Sequence, residues 1–456
     1  MAPATEHRRA RRRRLLLALV VAGQLNLAAP ATAQTPPLPR IEGPLAMEQA
    51  VELALQYNLR VKASAADARA MASMRRESLA PFWPQLSANG YLNDQNLAPN
   101  VYSSAGTTMA RNTQVFNADQ TRDANLTAMY SLFSGGRDYY GYKAAAARAD
   151  AARQMLAGTR LDVGMQARLD YIAVLRETEN ARVTDELRRS VEERVRLSRE
   201  MLDAGRVPRY YLLRDEAELA NVLQMEAMAR SRVEQAVVAL KTTLGVDLAS
   251  PITLADRLAY APATVSIDDG IREASAVHPD LKAAAKQREA AQAEVRAAYG
   301  HYFPQVALGA MYDWAWMKSR GESSSSDDGY SVGLVVTLPL FDGLMRENAV
   351  NTAKAKLDRA VQAEGLARQQ IAKDVTQAGL MLAAAEKGVE ASRKGLEQAE
   401  EESHIMQERF QAGRGIQLEI LDAQVTLTRA RFNAVAALAD YHTALAMWRR
   451  ATGQIR

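Results

Sequence analysis

The sequence predicts a mixed fold: a membrane β-barrel joined to long α-helical coiled coils, built as an internal two-fold repeat with four strands per chain. Three observations predict it. Pro84-Gln85-Leu86 opens a run of alternating residues that ends at Leu132-Phe133-Ser134-Gly135-Gly136. Pro304-Gln305-Val306 opens a second, ending at Leu340-Phe341-Asp342-Gly343. Each run is followed by a long stretch without proline, 137–202 and 346–411, where nothing interrupts a helix. Finally, aromatics are only 6% of the 456 residues and cysteine is absent. Together with abundant alanine, that suits long helices better than compact aromatic cores. Without cysteine there is no disulfide, thiolate metal site, thiol nucleophile or cysteine-linked lipid anchor.

Residues 1–33 read as a secretory signal. Arg8, Arg9 and Arg11 to Arg14 form a basic start, Leu15 to Ala22 an apolar core, and Ala31-Thr32-Ala33 a cleavage site before Gln34. Removing them takes away six Arg and one Glu, so Lys+Arg falls from 57 to 51 and Asp+Glu from 53 to 52. The formal charge then moves from +4 to −1. The basicity belongs to the leader, and nucleic-acid binding has no electrostatic support. Residues 34–44, with four prolines, read as an extended tether.

From 45 onward the chain repeats. Leu45–Leu86 falls on Val265–Val306 at a shift of 220 (304 − 84). Beyond the hairpins the shift is 208 (341 − 133), and Ala204-Gly205-Arg206 meets Ala412-Gly413-Arg414. The 12 residues lost between the two shifts lie in the second, shorter hairpin loop. The first copy is 45–245, with a helical start, a hairpin at about 85–133, a long helix 137–202 and a return helix 209–244. A linker, 246–264, leads to the second copy, 265–453, with its hairpin at about 305–341, long helix 346–411 and return helix 416–452. A repeat this long is one architectural unit used twice.

Within each hairpin, apolar and polar residues alternate. Leu86, Ala88, Gly90 and Leu92 oppose Ser87, Asn89 and Asn93; Val306, Leu308, Ala310, Tyr312, Trp314 and Trp316 share one face. Strands of about 10 residues cross a membrane when tilted. Tyr312, Trp314, Trp316 and Tyr330 gather near the loop end, where an aromatic girdle belongs. A half-buried soluble sheet alternates identically; the flanking leader and long helices favour the membrane. Each proline-free stretch would span about 99 Å as helix. Each ends at Ala-Gly-Arg before a helix that turns back as a coiled-coil hairpin. Four strands cannot close a barrel, two chains give eight with a filled interior, and three give twelve with room for a channel. A homotrimer is therefore expected.

The doubled helix–Pro–strand layout, the Leu-Phe-x-Gly hairpin ends, the Ala-Gly-Arg turns and Glu419-Ile420-Leu421-Asp422-Ala423-Gln424 together resemble the TolC-type outer-membrane efflux family, over about residues 45–453. The resemblance implies a trimer with a twelve-stranded outer-membrane barrel and a periplasmic α-helical tunnel. It implies partners too: a periplasmic membrane-fusion adaptor and an inner-membrane pump or ABC exporter. Family members carry acids at the positions of Glu419 and Asp422, ringing the periplasmic entrance. Many efflux members are lipidated at an N-terminal cysteine, which this chain lacks.

No catalytic, cofactor-binding or metal constellation is expected. His278, His301, His404 and His442 are dispersed, and Glu401 with His404 reads as solvated charge on a helix. Function is passive, as an export duct gated at its helical end. The alternative is a coiled-coil stalk anchored by a barrel, which would need helices outside the cell. Two sites are expected at the helical end. Gly205-Arg206 and Gly413-Arg414 are the turns where an adaptor would dock. The gate joins Glu419 and Asp422 to Tyr211 and Arg214, their counterparts 208 residues earlier, with Arg214 and Tyr211 expected to tie one of the acids across the helical hairpins.

Overall fold

The structure is a computed structural model describing residues 43–94, 118–319, 324–412 and 414–454. The signal and most of the tether lie outside the described residues, as does most of the first hairpin loop.

Strand β1, Pro44–Leu45, enters helix α1, Met47–Tyr57, and then α2, Leu59–Glu77. The helical stretch is thus broken at Asn58, whose side chain accepts from Arg60 N at 2.8 Å and caps the second helix. A 3₁₀ turn at Ala80–Phe82 feeds β2, Gln85–Asp94, and its partner β3, Ala118–Phe133. Then come α3, Arg137–Asp203, and α4, Arg209–Leu244. Short β4, Thr253–Leu254, leads to α5, Ile267–Val277, and α6, Pro279–Tyr299. After a second 3₁₀ turn, Gly300–Tyr302, follow β5, Gln305–Ser319, and β6, Ser325–Thr337. Helices α7, Met345–Gln411, and α8, Gln417–Ala451, complete the order. Both halves therefore run helix, helix, 3₁₀ turn, two strands, long helix, return helix.

Two features differ from a simple tether and linker. Pro44 and Leu45 pair in parallel with Thr253 and Leu254. Tyr171 seals that joint, its hydroxyl 2.8 Å from both Leu45 O and the Asp256 carboxylate, and is fully buried. Strands also run longer than about 10 residues: β3 has 16, β5 has 15 and β6 has 13.

The four strands form one antiparallel sheet in the order β2-β3-β5-β6. Each copy makes its own hairpin, and β3 joins β5 across the copies, with Leu126 opposite Tyr312. Beneath the sheet each copy has an apolar core. Val51, Ala54, Val163, Tyr171, Leu240 and Leu244 build the first; Ala274, Val375, Leu382, Tyr441 and Trp448 are central to the second. Trp448 fits because two helices approach without side chains. A Cβ on Gly270 would lie 2.6 Å from its ring, and one on Gly379 would lie 3.0 Å away. Helix-interior glycine costs about 1 kcal/mol against alanine, and here it makes room for the largest side chain of the core.

Candidate channel mouth and membrane face

The turn from α3 to α4 is a left-handed cap. Gly205 has φ +66, its N–H donates to Leu202 O at 2.9 Å, and Arg206 N donates to Met201 O at 2.8 Å. Glycine adopts this conformation without the clash that a Cβ brings. In the second copy Arg414 N donates to Arg409 O at 2.8 Å; Gly413 lies outside the described residues. Arg206 and Arg414 are exposed and make no ion pair among the described residues.

Just past these turns a buried clasp joins three helices. Asp215 on α4 has a side chain only 1% exposed. Its carboxylate accepts from Arg194 Nε at 2.9 Å, Ser198 Oγ at 2.5 Å and Gln417 Nε2 at 3.3 Å. Arg194 Nη1 continues to Gln424 Oε1 at 2.5 Å, and Gln424 Nε2 reaches Ser190 Oγ at 3.3 Å. Helix α3 thereby holds α4 of its own copy and α8 of the other. Further along, Arg431 on α8 meets Glu186 on α3 at 2.9 Å. A buried carboxylate with three donors and a facing guanidinium is satisfied; either charge alone is not.

Arg194, Arg214, Asp215, Asp422, Gln424 and Phe432 share the lining of one cleft of about 470 Å³. The structure thus brings Arg214 and Asp422 to the same cleft, yet they form no ion pair within the chain among the described residues. Glu419 turns back on its own helix instead, where Oε2 accepts from Ile416 N at 3.4 Å, as a third-position glutamate does at a helix start. Tyr211 packs on Tyr210, with ring centroids 4.5 Å apart. Inside one chain, then, the described residues show the Arg194 clasp in the same cleft as Arg214 and Asp422. Sequence reasoning missed that clasp. A signal existed: at the 208 shift Asp215 falls on Ala423 and Arg194 on Glu402, so only one copy carries the pieces.

The sheet has one apolar and one polar face. Tyr312, Trp314 and Trp316 alternate along β5 toward the loop, with Tyr330 opposite Tyr312. Tyr312 hydroxyl donates to Asp328 at 2.6 Å, and Arg122 lies 4.8 Å from the Trp316 ring centroid. The opposite face carries Asn89, which donates to Asn125 at 2.9 Å. A second aromatic set, missed in the sequence, flanks the helix end of the sheet: Phe82, Trp83, Phe133, Tyr302, Phe303 and Phe341, all exposed. Aromatic rows on either side of an apolar band are the pattern that membrane barrels present to the two surfaces of a bilayer.

No helix among the described residues is long and apolar enough to cross a membrane, and no cluster of three or more His, Asp or Glu among them suits a metal. His404 pairs with Glu408 at 3.3 Å, and both are exposed.

A doubled helix–hairpin–helix unit, with an amphipathic four-stranded sheet and long coiled coils, defines a class of bacterial envelope duct. The chain belongs to the outer membrane efflux protein family, whose pattern matches residues 50–246 and 270–454. It is 28% identical to protein CyaE of Bordetella pertussis over 430 residues, 92% of this chain and 86% of that one. It is 24% identical to outer membrane efflux protein BepC of Brucella suis over 71% of this chain and 70% of that one. Among solved structures, the fold matches outer membrane protein VceC of Vibrio cholerae with a TM-score of 0.74 at 18% identity, covering 90% of this chain and 96% of that one. It matches the CmeC outer membrane channel of Campylobacter jejuni with a TM-score of 0.76 at 17% identity, covering 89% and 85%.

Proposed function

We infer that the chain is the outer-membrane exit duct of a tripartite efflux pump or type I secretion system, passive and opened by its partners. The observation that carries this reading is the sheet. It has a lipid-suited face, a polar face, and edge strands β2 and β6 that each leave one edge unpaired among the described residues. Unpaired edges inside a bilayer are not tolerated, so three chains close them into twelve strands around a polar lumen. In this reading 45–245 and 265–453 are one unit used twice, joined by 246–264. A periplasmic adaptor docks at the Gly205-Arg206 and Gly413-Arg414 turns, and an inner-membrane pump or ABC exporter supplies the energy. In the trimer Glu419 and Asp422 ring the mouth, and Arg214 and Tyr211 of the facing hairpin hold it shut. Six carboxylates around one aperture favour cations.

Planar-bilayer conductance tests the mouth. Replacing both acids, Glu419→Ala with Asp422→Ala, should weaken cation preference in a salt gradient and reduce block by divalent cations. Unchanged reversal potential and unchanged block would remove these carboxylates from the aperture.

A further inference from the structure

The cations of the helices meet two kinds of partner. Along the lower half of α3 they meet carboxylates: Arg182 pairs with Glu179 and Glu186, Arg188 with Asp185 and Glu192, and Arg196 with Glu193 and Glu200. Close to the sheet they meet tyrosine rings instead. Lys143 on α3 lies 4.9 Å from the Tyr139 ring centroid, and Arg296 on α6 lies 5.6 Å from that of Tyr140. Lys354 on α7 lies 5.7 Å from the Tyr299 centroid. Arg75, at the end of α2, lies 5.8 Å from the Tyr142 centroid and donates to its hydroxyl at 3.1 Å. Lys143, Arg296, Lys354 and Arg76 are exposed, and none of them has a carboxylate partner among the described residues. Neighbouring acids are already taken: Asp138 by Arg137, Glu294 by Arg148 and Asp342 by Arg346. Glu77 and Glu347 remain, so the four exposed cations leave two positive charges in excess (4 − 2) in each chain.

These cations lie on one side of the helices and at one level. Ser131, on the polar face of β3, donates through Oγ to Asp138 at 3.4 Å. Side chains advance about 100° per residue around a helix, so Lys143 points about 140° away from Asp138, toward the side that continues the apolar face of the sheet. The repeat puts the others with it. Lys354 falls on Ala146 (354 − 208), one turn from Lys143 on the same face. Arg296 precedes Tyr299, the ring beside Lys354, by three residues, and Arg76 is its counterpart (296 − 220). At 1.5 Å per residue, Arg76 and Arg296 lie within about 5 Å of the sheet ends of their helices, Lys143 about 9 Å and Lys354 about 14 Å. Lipid headgroups fill about 5–8 Å beyond the apolar core of a bilayer. Side chains of α3 and α7 lean toward the start of the helix, here toward the membrane, and lysine stems extend their charge further that way.

We propose that this collar binds anionic phospholipid in the leaflet that faces the periplasm. Lipid phosphates take the place on Arg76, Lys143, Arg296 and Lys354 that carboxylates take on the arginines further down. A tyrosine ring suits that purpose. It attracts a cation and orders its stem, yet it carries no charge, so the cation keeps its full attraction for a phosphate. The exposed row of Phe82, Trp83, Phe303 and Phe341 lies between the collar and the apolar band, as an interfacial aromatic row does. Aromatic rings at the acyl boundary and cations one step beyond them match the order of groups along a phospholipid. The proposal rests on the sheet spanning the outer membrane with its helices in the periplasm.

Lipid retention by the full-length, detergent-purified protein tests this. The protein is offered equal amounts of phosphatidylglycerol and phosphatidylcholine with the same acyl chains, and native mass spectrometry reads the lipid that stays bound. The parent should retain the anionic lipid preferentially. Lys143→Gln with Lys354→Gln should cut that preference on the order of tenfold. Lys387→Gln with Arg393→Gln removes the same charge from exposed positions more than about 60 Å along α7 and should leave the preference unchanged. Raising salt from about 0.1 to 1 M shortens the screening length from about 10 to 3 Å and should erode the preference in the parent without any substitution. Equal retention of the two lipids by the parent, an equal fall in both variants, or indifference to salt overturns the collar. Displacement of the lipid by millimolar inorganic phosphate overturns the assignment to a lipid. Flotation with phosphatidylcholine vesicles separates these outcomes from failure of the membrane reading. A parent that floats without lipid preference overturns the collar alone; a parent that does not enter vesicles overturns both.

Discussion

Asn58 and His278 are the same residue position in the two copies (278 − 58 = 220), and each starts a helix. Asn58 accepts from Arg60 N at 2.8 Å; His278 Nδ1 accepts from Asp280 N at 3.3 Å. An amide accepts at any pH, whereas an imidazole accepts only while that nitrogen is unprotonated. His278 is buried, 2% exposed, and burial pushes its pKa below the usual histidine value. The Asp280 carboxylate, 3.7 Å away, the Arg450 backbone and Asp162 oppose that shift, while the Arg450 charge reinforces it. The unfolded chain therefore binds the proton first. Stability is complete above about pH 6.5 and falls as pH drops from there through the lower folded value. His278→Asn, which installs the residue of the first copy, should flatten this loss below about pH 6.5, at about 1 kcal/mol of lost packing at neutral pH. Chemical unfolding of detergent-solubilised protein across that range checks it; identical slopes for parent and variant would clear His278. Leu344 shows a similar divergence, since it takes φ +68 where the first copy has Gly136 at φ +81. Left-handed backbone costs a leucine about 1–2 kcal/mol, so Leu344→Gly should raise the unfolding midpoint slightly, read in the same experiment.

At the scale of elements, the clasp gives a graded expectation. Arg194→Ala leaves Asp215 buried without its cation, which costs about 3–5 kcal/mol. Gln424→Ala removes an outer hydrogen bond and should cost about 1 kcal/mol. Arg194→Ala with Asp215→Ala should recover much of the larger loss, because the second copy already holds Ala423 at that position. A double-mutant cycle on urea unfolding of the helices measures the coupling, and additive losses would mean the pair does not act as a unit. The same scale shows what was legible beforehand. Order, long helices, return helices and both hairpins can be read from shifts of 220 and 208, because proline, glycine and alternation are local signals. The break at Asn58 was weaker, since one asparagine competes with a continuous apolar period on both sides. The pairing of Pro44–Leu45 with Thr253–Leu254 was invisible: two residues carry no period, and their partners are two hundred positions away. The clasp was hidden for another reason. Arg194, Asp215 and Gln424 look like ordinary solvated polar groups on helices until α3 is known to touch both α4 and α8, and Glu419 drew notice as half of an acid pair although its own helix start claims it.

For the whole molecule, the one-sidedness of that clasp has a mechanical meaning. Within a chain, α3 grips α8 through partly buried groups anchored on the buried Asp215 of α4. The matching contact between neighbours would set α7 against α4 of the next chain. There the repeat supplies Glu402 for Arg194, Ala423 for Asp215, and Glu216 and Arg209 for Gln424 and Gln417. Glu216 already pairs with Arg199 in its own chain at 2.8 Å, in solvent. Exposed charges of this kind contribute about 0–1 kcal/mol and are screened by salt, whereas the buried clasp is not. In the proposed trimer the mouth would thus be stiff inside each chain and compliant between chains, and it should part into three blocks rather than six. In the proposed trimer, raising ionic strength should increase the open fraction of single channels in the parent by screening the attraction of Arg214 for Asp422 or Glu419 between chains. A disulfide between Glu402→Cys and Glu216→Cys should then lock the mouth and abolish the salt response, and an open fraction indifferent to that lock would place the moving joints elsewhere. A duct divided this way yields to a partner pressing between chains and resists one pressing within them.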